Sequence, residues 1–109
     1  MLPWEIEPRD LAAQLRSPNP PRLLDVRQPD EHALVALPQS TLLPLHELPA
    51  RMGVLATWRH EPVVVYCHHG MRSLRAVQLL RQAGFDRAVS LAGGIDRWAV
   101  EVDPTLPRY

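Results

Sequence analysis

Residues 63–80 read VVVYCHHGMRSLRAVQLL and contain Cys67, the one cysteine of the chain. Four apolar residues lead into it, and two histidines, a glycine and an arginine follow before helical spacing takes over. A thiol at such a junction has two sources of activation. Successive backbone N–H groups in a tight loop converge on an anion, and the helix beyond turns its unpaired N–H groups and positive end the same way. Gly70 permits the positive φ of a tight curl, and Arg72 adds a permanent positive charge. Such surroundings favour the thiolate over the thiol. The expectation is a Cys67 nucleophile, largely ionised at neutral pH, in a loop made by His68, His69, Gly70, Met71, Arg72 and Ser73. The competing reading is a buried cysteine that packs as a small, inert hydrophobe.

The neighbouring residues also admit paired readings. Arg72 either forks onto the oxygens of an anionic substrate or braces the loop by pairing with a carboxylate such as Asp25. Asp25 and Arg27, at the end of RLLDV and just beyond it, either orient the loop or form a salt bridge or cap of their own. The structural role is the one expected. His68 and His69 suggest a metal with Cys67 as third ligand, but adjacent residues in a tight loop cannot all aim at one ion, and no Cys-x2-Cys pair is present. No metal is expected, and no cofactor. One or both imidazoles are instead expected at the pocket mouth, where a protonated ring would attract an anionic donor. His32, His46 and His60 read as surface or helix-end residues, Gly93 and Gly94 as a turn, and Trp98, Leu74 and Val77 as core.

These residues need elements to position them. Val63 to Tyr66 are apolar at every position, as expected of a central parallel strand covered on both faces. From Ser73 the period changes, with Leu74, Val77 and Leu80 on one stripe and Gly84 as a stop, so a helix is expected from about Ser73. Further strands are expected at Trp4 to Ile6, at residues 22–26, at residues 40–45 with Pro44 ending it or marking an edge, and at residues 87–91. Helices are expected from Pro8, with Leu11, Ala12 and Leu15 on one stripe, from Pro29, and over IDRWAV. A weaker helical pattern around Leu48, Met52 and Leu55 is interrupted by Pro49 and Gly53. Strands alternating with helices predict an α/β domain with a mainly parallel sheet, in which ligands bind beyond the carboxyl ends of the strands. Cys67 lies at one such end and Asp25 at another.

With 109 residues, the chain is expected to form one domain over residues 1–109. Twelve basic and twelve acidic residues cancel, so no overall field draws the protein to nucleic acid or to an anionic membrane, and neither is an expected partner. One cysteine allows no internal disulfide, which fits a reducing, cytoplasmic setting. The opening MLPWEIEPRD lacks the pattern of a signal peptide, and no apolar run reaches the length of a bilayer span. The closing EVDPTLPRY is punctuated by proline and is expected to lie along the surface.

The motifs taken together resemble the rhodanese sulfurtransferases. CHHGMRS resembles their six-residue active-site loop with its central glycine. LLDVRQPDEH resembles their Asp-Val-Arg segment with a following acidic residue, LPQSTLLPL their Pro-Gly-Ala…Pro-Leu segment, and LAGGIDRW their Gly-Gly-apolar-x-x-Trp signature. These matches fall in the expected order over residues 4–100, far more specific than any one motif. Gln39 stands where the family usually has glycine, which bears on the turn there. The resemblance implies the rhodanese-like fold, a five-stranded parallel sheet with helices on both faces. It also implies sulfur transfer from thiosulfate or a related donor through a Cys67 persulfide to cyanide or a thiol acceptor. Arg72 is the fifth residue after Cys67, one short of the Cys-x5-Arg spacing of the cysteine phosphatases that share this fold, and the smaller cradle suits a single sulfur atom. The alternatives are a persulfide carrier that serves a partner protein and a phosphatase or arsenate reductase.

Overall fold

The computed structural model describes residues 4–109. The strands are β1 (Glu5–Ile6), β2 (Arg22–Asp25), β3 (Thr41–Leu42), β4 (Val63–Tyr66) and β5 (Ala88–Leu91). All pair in parallel, in the order β1-β5-β4-β2-β3, so the sheet is the five-stranded parallel one expected. Helices α1 (Pro8–Leu15), α2 (Pro29–Leu34), α3 (Leu48–Arg51), α4 (Met71–Gln82) and α5 (Gly94–Glu101) connect and cover it.

β4 is buried at all four positions, and its alternation divides the core. Val63, Val65 and then Cys67 face the side covered by α3 and α4, among Leu24, Leu48, Val77, Leu80 and Phe85. Val64 and Tyr66 face the side covered by α1 and α5, among Leu11, Leu23, Leu91 and Trp98. Each such aliphatic side chain contributes about 1.5–3 kcal/mol on burial, so the strand preceding Cys67 is the most firmly held part of the sheet. Helix α2 buries none of its residues. It rides at the rim, beside the carboxyl ends of β2 and β4.

Several boundaries differ from the expected ones. Helix α4 begins at Met71, two residues before Ser73, because Gly70 takes φ +103° and lets the chain curl directly into the first turn. Its buried stripe is Ser73, Ala76, Val77 and Leu80, and Leu74 is only half-buried. The helix has therefore turned the hydroxyl of Ser73 inward. The strand expected over residues 40–45 pairs only at Thr41–Leu42 and stops before Pro44. The weak pattern after it resolves into α3 flanked by 3₁₀ turns at Leu45–Glu47 and Met52–Trp58. Trp4 lies in a turn ahead of β1.

Candidate active site

Cys67 sits one residue beyond β4 and is 1 % exposed. Burial matches half of the inert reading, but the surroundings of the sulfur do not. The backbone N–H of Gly70 donates to Sγ at 3.1 Å and that of Ser73 at 3.3 Å. Ser73 occupies the first turn of α4, where helical N–H groups have no intrahelical acceptor, so the sulfur takes the place of that acceptor. The thiol donates to Ser73 Oγ at 3.4 Å. That hydroxyl donates to the Gly70 carbonyl at 3.1 Å and lies 2.7 Å from Ser90 Oγ. When the sulfur carries charge, the Ser73 hydroxyl can turn and donate to it as a third group.

The loop holds this shape because α5 takes its carbonyls. The N–H of Ile95 donates to the Cys67 carbonyl at 2.9 Å, and that of Asp96 to the His68 carbonyl at 3.1 Å. Gly93 and Gly94, at φ +74° and +65°, are therefore more than a turn. A Cβ on Gly94 would lie 2.5 Å from the Cys67 carbonyl oxygen, so the backbone of α5 approaches the loop as closely as only glycine allows. With the carbonyls of residues 67 and 68 engaged behind, the amides of Gly70 and Ser73 are left for the sulfur.

Arg72 does not reach Asp25. It forks onto Glu31 of α2, at 2.7 and 2.9 Å. The bidentate bond to Arg72 is the main reason the Glu31 carboxyl is pulled down to about 2, against the opposing effect of burial. Asp25 is unavailable because Arg27 and His32 already occupy it. Arg27 Nε and its backbone N–H both donate to Asp25 Oδ1, and Nη2 donates to Asp25 Oδ2 and to the Val35 carbonyl. Both side chains are fully buried. Burial by itself would pull Arg27 down, but its bonds to Asp25 and Tyr109 outweigh that and leave the guanidinium raised. The two side chains form a buried, bidentate ion pair. Its link to the loop is indirect, through Tyr109, Glu31 and Arg72. His32 is not an ordinary surface residue: its Nδ1 lies 2.8 Å from Asp25 Oδ2.

The two loop histidines differ. His69 is exposed, with Nδ1 3.9 Å from Asp96. His68 lies between rings, 3.9 Å from that of His69 and 3.8 Å from that of Tyr109. Burial first, and the neighbouring His69 second, push His68 below its ordinary 6.5, against the pull of Asp96 and Glu31. Its neutral form is thereby favoured, which works against the expected attraction of an anion by a protonated ring at His68. Met71 is 77 % exposed and touches no part of the sulfur's surroundings that the hydrogen bonds define.

Two residues at the site carry no signal in the sequence, and a third, Glu31, carries a local one. Glu31 had a local signal, since it stands at the third position of α2 and accepts from the backbone N–H of Gln28 at 3.0 Å, a capping-box contact. Ser90 and Tyr109 had none, because their partners lie 17 residues or more away in the chain.

The Rhodanese-like domain family profile matches residues 7–101. A sulfurtransferase from Allochromatium vinosum is 37 % identical over 95 residues, covering 87 % of each chain. The adenylyltransferase and sulfurtransferase MOCS3 of Arabidopsis thaliana is 38 % identical over 101 residues, which are 80 % of this chain but only 22 % of that protein. Among solved structures, a rhodanese-related protein from Thermoplasma volcanium superposes with a TM-score of 0.80 at 33 % identity, covering 90 % of this chain and 92 % of the other. The human single-domain sulfurtransferase TSTD1 does so with a TM-score of 0.79 at 26 % identity, covering 90 % and 96 %. In fold and in sequence, the chain belongs to the rhodanese-like family of sulfurtransferase domains.

Proposed function

We propose that residues 1–109 act as one rhodanese domain that moves a sulfane sulfur from thiosulfate or a related donor to a small acceptor, with Cys67 as the nucleophile. The observation that carries this reading is the pair of backbone N–H groups, from Gly70 and Ser73, aimed at Sγ. In the first step the Cys67 thiolate attacks the outer sulfur of thiosulfate. The new S–S bond forms as the old one breaks, and sulfite leaves with the electron pair. The Cys67 persulfide keeps one negative charge on its terminal sulfur, where the loop amides and the start of α4 stabilise it. Attack on that sulfur by cyanide releases thiocyanate and restores the thiolate, so one hard transfer becomes two easier ones.

A second reading is supported by burial and charge: a persulfide carrier whose acceptor is a thiol on a partner protein. Cys67 is nearly inaccessible, and Arg72 is already engaged by Glu31 rather than open to an anion.

The deciding experiment is intact-mass spectrometry of the protein after thiosulfate, followed by cyanide, beside steady-state turnover. Gain of one sulfur on Cys67 that cyanide removes, with ping-pong kinetics, supports the enzyme. Gain of one sulfur that cyanide leaves in place supports the carrier. A Cys67→Ser protein that still transfers sulfur would refute both.

A further inference from the structure

The segment after α5 does more than lie along the surface. Residues 102–109 turn back toward the site, and Tyr109 touches it. Val102 and Asp103 donate their N–H groups to the Trp98 carbonyl, and Leu106 packs against the core beneath. Arg108 then forks onto Asp96 at 2.9 and 3.0 Å, the residue whose own N–H holds the His68 carbonyl. Tyr109 lays its ring on His68, 3.8 Å between centroids and 7° from parallel. Its hydroxyl accepts from Arg27 Nη1 at 2.8 Å and donates to Glu31 Oε2 at 2.8 Å. The guanidinium of Arg27 lies between the rings of Tyr109 and Tyr66, at 5.8 and 5.3 Å.

We propose that Tyr109 is a specificity-determining residue of the sulfur-transfer site: it latches a strap, residues 102–109, that limits by size what reaches Cys67. The inference rests on Cys67 being the reactive group.

Three features favour a latch over a permanent brace. The contacts are two neutral-to-charged hydrogen bonds and one stack, made by a residue that is 39 % exposed, so water can replace each of them. Closure also leaves a defect. His68 Nε2 is buried and, among the described residues, has no partner within hydrogen-bond geometry; the Tyr109 backbone acts on this ring only as the weakest of the influences that raise its pKa. An orphaned polar atom of this kind opposes the closed state and is relieved on opening. Finally, Tyr109 and Arg72 share Glu31 Oε2, so release of the phenol leaves the Arg72 fork in place while freeing Arg27 Nη1. A protein acceptor that displaces the strap must therefore offer an acceptor to Arg27, a donor to Glu31 and a flat group to His68. A tyrosine or a comparable side chain of the partner meets all three.

The test is alkylation of Cys67, the one cysteine, by N-ethylmaleimide and by a polyethylene-glycol maleimide, with circular dichroism to confirm folding. If the site is open about a tenth of the time, Tyr109→Ala speeds the bulky reagent about tenfold, and the small one, which a lesser opening admits to the nearly buried sulfur, by clearly less. Tyr109→Phe keeps the stack but loses both hydrogen bonds and falls between. Arg108→Ala, which removes the second anchor, also speeds the bulky reagent. Unchanged bulky-reagent rates in these variants, or equal acceleration of both reagents, would overturn the proposal. Should Tyr109→Ala not fold, Tyr109→Phe and Arg108→Ala decide it by the same ratio. Labelling needs no sulfur transfer, so a protein that thiosulfate fails to charge would sink the proposed function without altering this result.

Discussion

The guanidinium of Arg72 is held by the carboxylate of Glu31 at both of its terminal nitrogens, 2.7 and 2.9 Å away, across the gap between α4 and α2. The one cation of the loop thus faces a carboxylate that stays charged at any physiological pH.

Glu31→Gln removes that negative charge and frees Arg72 to meet an anion. The expected result is a fall in KM for thiosulfate of about two- to fivefold, the size of an exposed charge effect, with kcat little changed. A KM that stays put or rises would show that Glu31 does not mask Arg72. The same variant reports on acid stability. Because the folded carboxyl lies at about 2 against an ordinary 4.5, its stabilising effect is full above 4.5 and disappears as pH falls toward 2. Acid unfolding followed by circular dichroism should therefore be shallower over that window in Glu31→Gln.

Gly94→Ala places a Cβ against the carbonyls of Cys67 and His68 and forces alanine to φ +65°. The left-handed backbone alone costs about 1–2 kcal/mol, and relieving the clash moves the loop. Sulfur transfer is expected to fall about a hundredfold, the usual effect of a small misplacement of a reacting group. Near-normal turnover would mean that the loop does not depend on its contact with α5.

The Ser73 and Ser90 hydroxyls, both fully buried, satisfy each other at 2.7 Å. Removing Ser73 takes this partner from Ser90, at about 1–3 kcal/mol, whereas removing Ser90 leaves Ser73 its bonds to the Gly70 carbonyl and the Cys67 thiol and costs less. Removing both should cost less than the two single losses added, by about 1 kcal/mol. Urea midpoints of Ser73→Ala, Ser90→Ala and the double variant complete the cycle, and strict additivity would remove the coupling.

Gln39 is the one non-glycine residue at positive φ among the described residues, at 63°, in the place where the family usually has glycine. Gln39→Gly relieves strain of about 1–2 kcal/mol and adds unfolded-chain entropy of about 0.5–1 kcal/mol. The strain is larger, so the variant should be more stable by about 0.5–1 kcal/mol in a denaturant titration. A loss of stability would mean that the glutamine makes a compensating contact.

His68 gives the strap a pH dependence. Burial, to which the stacked Tyr109 ring contributes, is the first cause that holds its imidazole below its ordinary range, with His69 second, against Asp96 of α5, Glu31 of α2 and the backbone of Tyr109, so closure of the strap is expected to disfavour the protonated ring. Stability of the closed strap is therefore full above about 6.5 and declines as pH falls through that value. The ratio of bulky to small maleimide rates cancels the ionisation of Cys67, and it should rise from about pH 8 to about pH 5.5. A ratio that is flat, or that behaves identically in His68→Asn, would remove His68 from the latch.

Much of this was legible along the chain because it depends on neighbours in sequence. The run from Val63 to Tyr66 is apolar on both faces, so it could only be a central strand, and the change of period after it announced a helix. Gly70 marked the curl between them, which put Cys67 at a helix start. The Asp25–Arg27 pair, two residues apart, was equally local. What the one-dimensional pattern could not settle was partnership between distant charges. Arg72 met Glu31 instead of Asp25 because Arg27 and His32 already occupied that carboxylate, a competition visible only once β2, α2 and α4 stand side by side. Tyr109 is the extreme case: its hydroxyl bridges Arg27 and Glu31, 82 and 78 residues away. Side-chain polarity leaves such choices open. Chain topology makes them, by deciding which groups arrive within 3 Å of one another as the sheet closes.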